Sequence, residues 1–178
     1  MIFIKKNIVM VGMTGVGKTT IGKVLSKKLK KKFFDIDFEI ENASGLKIAD
    51  LFSEYGEKEF RKIEKKIIVK ILNDYSEAII STGAGIFNNK KINNLILKKS
   101  ICVFLKAKKK TLYNRLKNNL YNRPKLTIGK LEDNIEEMYK NRIKNYNRAH
   151  IIVEVDHLSI NEVSSLIIEN LAKYEEKT

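Results

Sequence analysis

Short runs dominated by apolar residues recur along the chain, at residues 8–11, 33–37, 78–80, 101–105 and 150–155, each the length of a buried strand. Between them the apolar residues fall at helical spacing instead. Ile21, Val24, Leu25 and Leu29 mark a first helix, and residues 48–72 carry a second, interrupted at Tyr55 and Gly56. Further helices are predicted over about residues 88–98, 108–117, 131–147 and 159–173, the last built on Val163, Leu166, Ile167 and Leu171. Strands that alternate with helices in this way predict an α/β domain. One segment, residues 118–130, has no period; it holds the only proline, Pro124, directly after Asn122 and Arg123, and also Gly129.

The joint between the first run and the first helix carries a composition that hydrophobic patterning does not explain. Gly12, Met13, Thr14, Gly15, Val16, Gly17, Lys18 and Thr19 fit the phosphate-loop spacing G-x-x-x-x-G-K-S/T, with Thr20 following. A β-branched run leads into the loop and a helix leads out, as the motif requires. Glycines let successive backbone N–H groups converge on one phosphate, and the helix presents its own unpaired N–H groups to the same anion. Lys18 then reaches the outer phosphates and the Thr19 hydroxyl is placed to ligate Mg²⁺. These residues are the candidate nucleotide-binding set.

Residues 33–37 read as a strand ending in Asp35 and Asp37. Alternation along an extended segment predicts both carboxylates on one side, at the carboxyl edge of the sheet where open α/β folds bind ligands. Asp35 is then a candidate to order Mg²⁺ through water, and Asp37 to accept a proton from an attacking hydroxyl. The alternative is that Asp37 caps a helix starting at Phe38, which accounts for one carboxylate only. After the third strand, Ser81, Thr82, Gly83, Ala84 and Gly85 form a turn whose glycines either let backbone N–H groups approach a ligand or simply make the bend tight.

Charge and composition change the picture in two places. The net charge of +14 is carried by 30 lysines and only 5 arginines, in a chain also rich in Ile and Asn. The lysines are scattered over helix faces without interleaved stacking aromatics, so a solvated surface is expected and no nucleic-acid partner. Against that lysine background, Arg61, Arg115, Arg123, Arg142 and Arg148 mark candidate sites for a planar, bidentate fork. Arg61 has Glu57 and Glu64 at helical spacing, so an ion pair is as good a reading as a ligand contact. Arg123 lies in the aperiodic segment, either a lid over a transferred phosphoryl group or a passive connection.

The 178 residues, 43% of them hydrophobic, predict one domain over residues 1–178. No apolar run approaches the roughly 18 residues of a membrane span, and Lys5, Lys6 and Asn7 interrupt the start of the chain, so a cytoplasmic protein without a membrane partner is expected. Cys102, inside an apolar run, reads as a small buried hydrophobe. His150 and His157 have no metal or base partner nearby in the sequence.

From Gly12 to about Ile168 these residues resemble the shikimate kinases. The resemblance rests on the phosphate loop, on Phe34, Asp35, Ile36 and Asp37, on Phe60 and Arg61 with Glu64, on the turn from Ser81 to Gly85, on Arg123 with Pro124, and on Arg142 with Tyr146 and Ala149. It implies a three-layer P-loop NTPase fold, a five-stranded parallel sheet flanked by helices, with a lid at about residues 118–130 and a substrate-binding segment at about 37–65. It further implies a monomer that transfers the γ-phosphoryl group of ATP, with Mg²⁺, to the 3-hydroxyl of shikimate. Under it Asp37, Lys18 and Arg123 are catalytic, and Arg115 packs on the adenine ring. Arg61 and Arg142, with backbone at Gly83, Ala84 and Gly85, hold the substrate; Thr19 and Asp35 serve the metal. Two positions depart from the family pattern: Ala84 stands where a middle glycine is usual, and Lys125 with Leu126 where a leucine pair is usual. A kinase for gluconate or a nucleoside monophosphate, or a nucleotide-binding regulator without catalysis, are the rival readings.

Overall fold

The computed structural model describes residues 4–118 and 129–177, and its five strands form a single parallel sheet in the order β2-β3-β1-β4-β5. β1 (Asn7–Gly12) lies at the centre with every residue buried, between β3 (Ile79–Ser81) and β4 (Ser100–Lys106). β2 (Phe33–Asp35) and β5 (Ile151–Glu154) are the edges. The three inner strands consist almost wholly of buried apolar residues because helices cover both faces of a parallel sheet. On β5 the pattern changes to alternation: Ile151 and Val153 are buried, Ile152 and Glu154 exposed.

Seven α-helices among the described residues join the strands: α1 (Lys18–Leu29), α2 (Ile36–Ser44), α3 (Ile48–Asp74), α4 (Lys90–Lys99), α5 (Lys109–Leu116), α6 (Leu131–Tyr146) and α7 (Ile160–Glu175). α1 packs on α7, whose start carries a capping box in which Ser159 and Glu162 satisfy each other's backbone N–H. α3 is broken where predicted, at Gly56, whose φ of 73° and ψ of 171° suit glycine alone. A short 3-10 turn (Ile86–Asn88) links β3 toward α4.

Chain order places the phosphate loop. From β1 the connections run first to β2 and β3 on one side and then to β4 and β5 on the other. The carboxyl end of β1 is therefore the point where the strand order reverses, and there a crevice opens between neighbouring loops.

One reading is corrected. The second strand ends at Asp35, and Asp37 lies in the first turn of α2, so the two carboxylates do not share a strand face. The cap of α2 is Asp35, whose carboxylate accepts from the backbone N–H groups of Asp37 and Phe38; Asp37 does not cap it. Helix initiation one residue after the strand outweighed the extended pattern of the sequence. Most of the predicted lid, with Arg123, falls outside the described residues. Cys102 is fully buried, and burial pushes its thiol far up, as expected of an inert core cysteine. No helix among the described residues is long and apolar enough to cross a membrane.

Candidate active site

At the end of β1 the backbone turns so sharply that a side chain on Gly12 would place its Cβ 2.6 Å from the Leu105 carbonyl oxygen. Gly17, with φ of 105°, immediately precedes α1, which carries no side-chain cap and no acidic residue in its first turn. The N–H groups at that end are thus left for a ligand, and the local field favours an anion. Lys18 is buried, and its ammonium folds back to donate to the carbonyls of Gly12 at 2.9 Å and Met13 at 3.0 Å. Arg115, on α5, donates to the Val16 carbonyl at 2.9 Å and so leans on the same loop from outside.

Opposite the loop, Asp35 serves two purposes. One carboxylate oxygen caps α2, and the other accepts from the Thr19 hydroxyl at 2.5 Å. A hydroxyl and a carboxylate held together beside a phosphate loop are oxygen donors of the kind Mg²⁺ takes, so the residues fit the ion that the loop sequence suggests. Asp37 enters the same cavity of about 480 Å³, in company with Thr14, Lys18, Thr19, Ala84 and Arg115. Its side chain meets solvent through the mouth of the cleft, yet protein crowds it on most sides. That crowding, with the negative charge of Asp35, pushes its pKa up to about 6; Lys18 and Arg61 offset this only in part.

Behind the turn at residues 83–85 lies a second set. Arg61 pairs with Glu64 at 2.5 Å and with Glu57 at 3.3 Å, and Glu64 is almost wholly buried. One Glu64 oxygen has no hydrogen-bond partner among the described residues, and burial holds its carboxyl above the usual range despite Arg61. The glycines of the turn are explained by these neighbours. A Cβ on Gly83 would sit 2.6 Å from a Glu64 oxygen and 3.0 Å from an Asp37 oxygen, and one on Gly85 would fall on the Arg61 guanidinium. Ala84, the middle residue, faces the phosphate side of the turn, while Arg61 and Gly85 line a separate cavity of about 310 Å³. The turn is thus a wall shared by two cavities.

Of the five arginines, four are described. Arg61 and Arg115 are placed as above. Arg142 is buried on α6, where it hydrogen-bonds the side chain of Tyr146 one turn on. Arg148 donates to Asn94 at 2.8 Å, a structural contact remote from the loop. His150 accepts from the backbone N–H of Cys102 and is likewise structural. The sequence points to Tyr146 only through its place beside Arg142 in the family resemblance and gives it no role. Buried at the junction, its hydroxyl contacts the carbonyls of both Gly12 and Ala84.

A glycine loop at the reversal point of a parallel sheet, with a buried lysine inside it and carboxylates across the cleft, defines a phosphate-loop kinase of the α/β class. A family model described as shikimate kinase matches residues 14–172. The shikimate kinase of Thermodesulfovibrio yellowstonii is 35% identical over 92% of this chain and 94% of its own, and that of Oceanobacillus iheyensis 38% identical over 94% and 90%. Among solved structures, a shikimate kinase from Acinetobacter baumannii in complex with shikimate superposes with a TM-score of 0.89 at 27% identity, covering 93% of this chain and 92% of that one. A gluconokinase from Sinorhizobium meliloti, at 14% identity and a TM-score of 0.61, shares the fold alone. The chain belongs to the shikimate kinase family, whose members are ATP-dependent kinases.

Proposed function

We propose that this protein phosphorylates the 3-hydroxyl of shikimate with ATP, giving shikimate 3-phosphate and ADP, in the pathway to chorismate and the aromatic amino acids. The observation that carries the reading is the convergence of Lys18 and Asp37 on one cavity, with Arg61 and Arg142 close behind the turn that walls it. A phosphate loop by itself names no acceptor. Two guanidinium groups beyond it suit a carboxylate, and a raised aspartate suits a hydroxyl that must give up its proton.

In this mechanism Asp37 orients the acceptor and takes the proton of its hydroxyl as the oxygen attacks the γ-phosphorus and ADP departs in line. Lys18, released from the Gly12 and Met13 carbonyls, neutralises charge on the phosphoryl oxygens. Arg61 and Arg142 hold the substrate carboxylate, helped by backbone N–H groups at Gly83, Ala84 and Gly85. Thr19 and Asp35 would hold Mg²⁺, which supplies further charge neutralisation when bound with the nucleotide. Arg115 packs against the adenine, beside a recess formed with Ile21, Val155, Leu158 and Val163. Arg123, outside the described residues, is assigned to neutralise charge on the transferred phosphoryl group, and its replacement by alanine should lower kcat by about 10³-fold or more while leaving the shikimate KM nearly unchanged. We take the enzyme to act as a cytoplasmic monomer on small molecules only, its lysines being spread over the surface.

The test is ADP release measured with shikimate, with gluconate and with a nucleoside monophosphate in parallel. Release dependent on shikimate alone supports the reading; release dependent on either of the others replaces it.

A further inference from the structure

Tyr146 is fully buried at the carboxyl end of α6, with its ring stacked on Phe104 at 5.0 Å between centroids and tilted against Phe87 at 6.0 Å. Burial of a hydroxyl is costly unless it is bonded, and this one is bonded several times over. It contacts the Ala84 carbonyl and lies 3.2 Å from the Gly12 carbonyl, and the Arg142 side chain hydrogen-bonds it as well. These three partners belong to three different parts of the site. Gly12 opens the phosphate loop, Ala84 is the middle of the turn behind the acceptor, and Arg142 is the buried guanidinium assigned to the substrate carboxylate.

The hydroxyl has one proton and two carbonyls to give it to. Burial pushes its pKa up to about 12, so the proton stays on at any working pH. The Gly12 carbonyl also accepts from the Lys18 ammonium at 2.9 Å. A nucleotide that draws Lys18 to its phosphates removes a cationic donor from that carbonyl and leaves the Tyr146 hydroxyl as the neighbour able to replace it. A ligand that engages Arg142 acts on the same hydroxyl from its accepting side. Each event therefore changes the bonding of the group the other depends on, which is what coupling between two sites requires.

We infer that Tyr146 is a positioning residue that links the nucleotide and acceptor sites, its hydroxyl transmitting occupancy of the phosphate loop to the turn at Ala84 and to Arg142. The inference rests on the proposed acceptor. Its signature is that ADP tightens shikimate binding, by about fivefold or more, the lower end of ordinary allosteric coupling, because each ligand fixes part of the frame the other needs.

The experiment is titration calorimetry of the full chain with shikimate, without ADP and at saturating ADP with Mg²⁺, for the parent protein and for Tyr146→Phe. The ring and its packing are kept by this change and only the hydroxyl is lost. The expected result is that the ratio of the two Kd values falls to within about twofold of one in the variant. Phe104→Leu serves as the packing control: it lowers Tm while leaving the ratio at the parental value. A parental ratio retained in Tyr146→Phe, or a ratio of one in the parent, overturns the inference. Parent protein that does not bind shikimate at all overturns the acceptor assignment itself, a distinct outcome.

Discussion

The Arg61 guanidinium occupies the space that a side chain on Gly85 would need. A residue on α3 thus dictates the residue type in a turn after β3, and the contact makes a prediction. Gly85→Ala pushes Arg61 out of register with the turn, so the shikimate KM should rise about tenfold, with the ATP KM unchanged. Steady-state kinetics with each substrate varied in turn measures this, and an unchanged shikimate KM would remove Arg61 from the acceptor site.

Arg61→Lys tests the same site from the other partner. Lysine keeps the charge beside Glu64 but offers a point donor in place of a fork. Loss of a charge-assisted bidentate contact of about 1.5–3 kcal/mol corresponds to a shikimate KM raised about 10- to 100-fold. The kcat should change much less, because the contact is made to a part of the substrate remote from the reacting oxygen.

Asp37 provides a prediction in pH. Its carboxyl holds a proton up to about pH 6 rather than 3.8, so kcat/KM for shikimate should fall on the acid side with a midpoint near that value. Asp37→Asn should lower kcat by about 10²- to 10⁴-fold, the usual worth of a general base.

The same shift has an opposite consequence for stability. A carboxyl with a raised folded-state pKa favours the fold most when protonated, below about pH 4, and loses that contribution as pH rises through about 6. Asp37→Asn removes the penalty. Allowing for solvent contact at the cleft mouth, the gain is about 1 kcal/mol, or about 2–4 °C in Tm at pH 8, and it should vanish near pH 4. Thermal melts of parent and variant at the two pH values decide it.

Ser159, by contrast, should affect stability without affecting catalysis. It caps α7 in a reciprocal box with Glu162, and neither side chain lines the cavity that Lys18 and Asp37 share. Ser159→Ala should cost about 1 kcal/mol and lower Tm by about 2–4 °C, with kcat and both KM values unchanged.

What the sequence determined by itself was everything carried by neighbouring residues. The phosphate loop is written in eight consecutive positions, and hydrophobic period marks five strands and six of the seven described helices, down to the break at Gly56, with α2 the exception. Such features depend on backbone conformation and on which face of an element meets the core, both encoded locally. The tertiary structure decided the rest. Asp35 and Asp37 read as a spaced pair on one strand face, but α2 begins between them, making one a cap that holds Thr19 and leaving the other in the cleft. Gly83 and Gly85 read from the sequence either as glycines that approach a ligand or as a tight bend, and the fold adds that their lack of a side chain makes room for Glu64, Asp37 and Arg61. Tyr146 meets Gly12 across 134 residues, a contact that exists only because the sheet order brings α6 to the end of β1. No local pattern encodes that order, since it is settled by how all the covered faces pack at once.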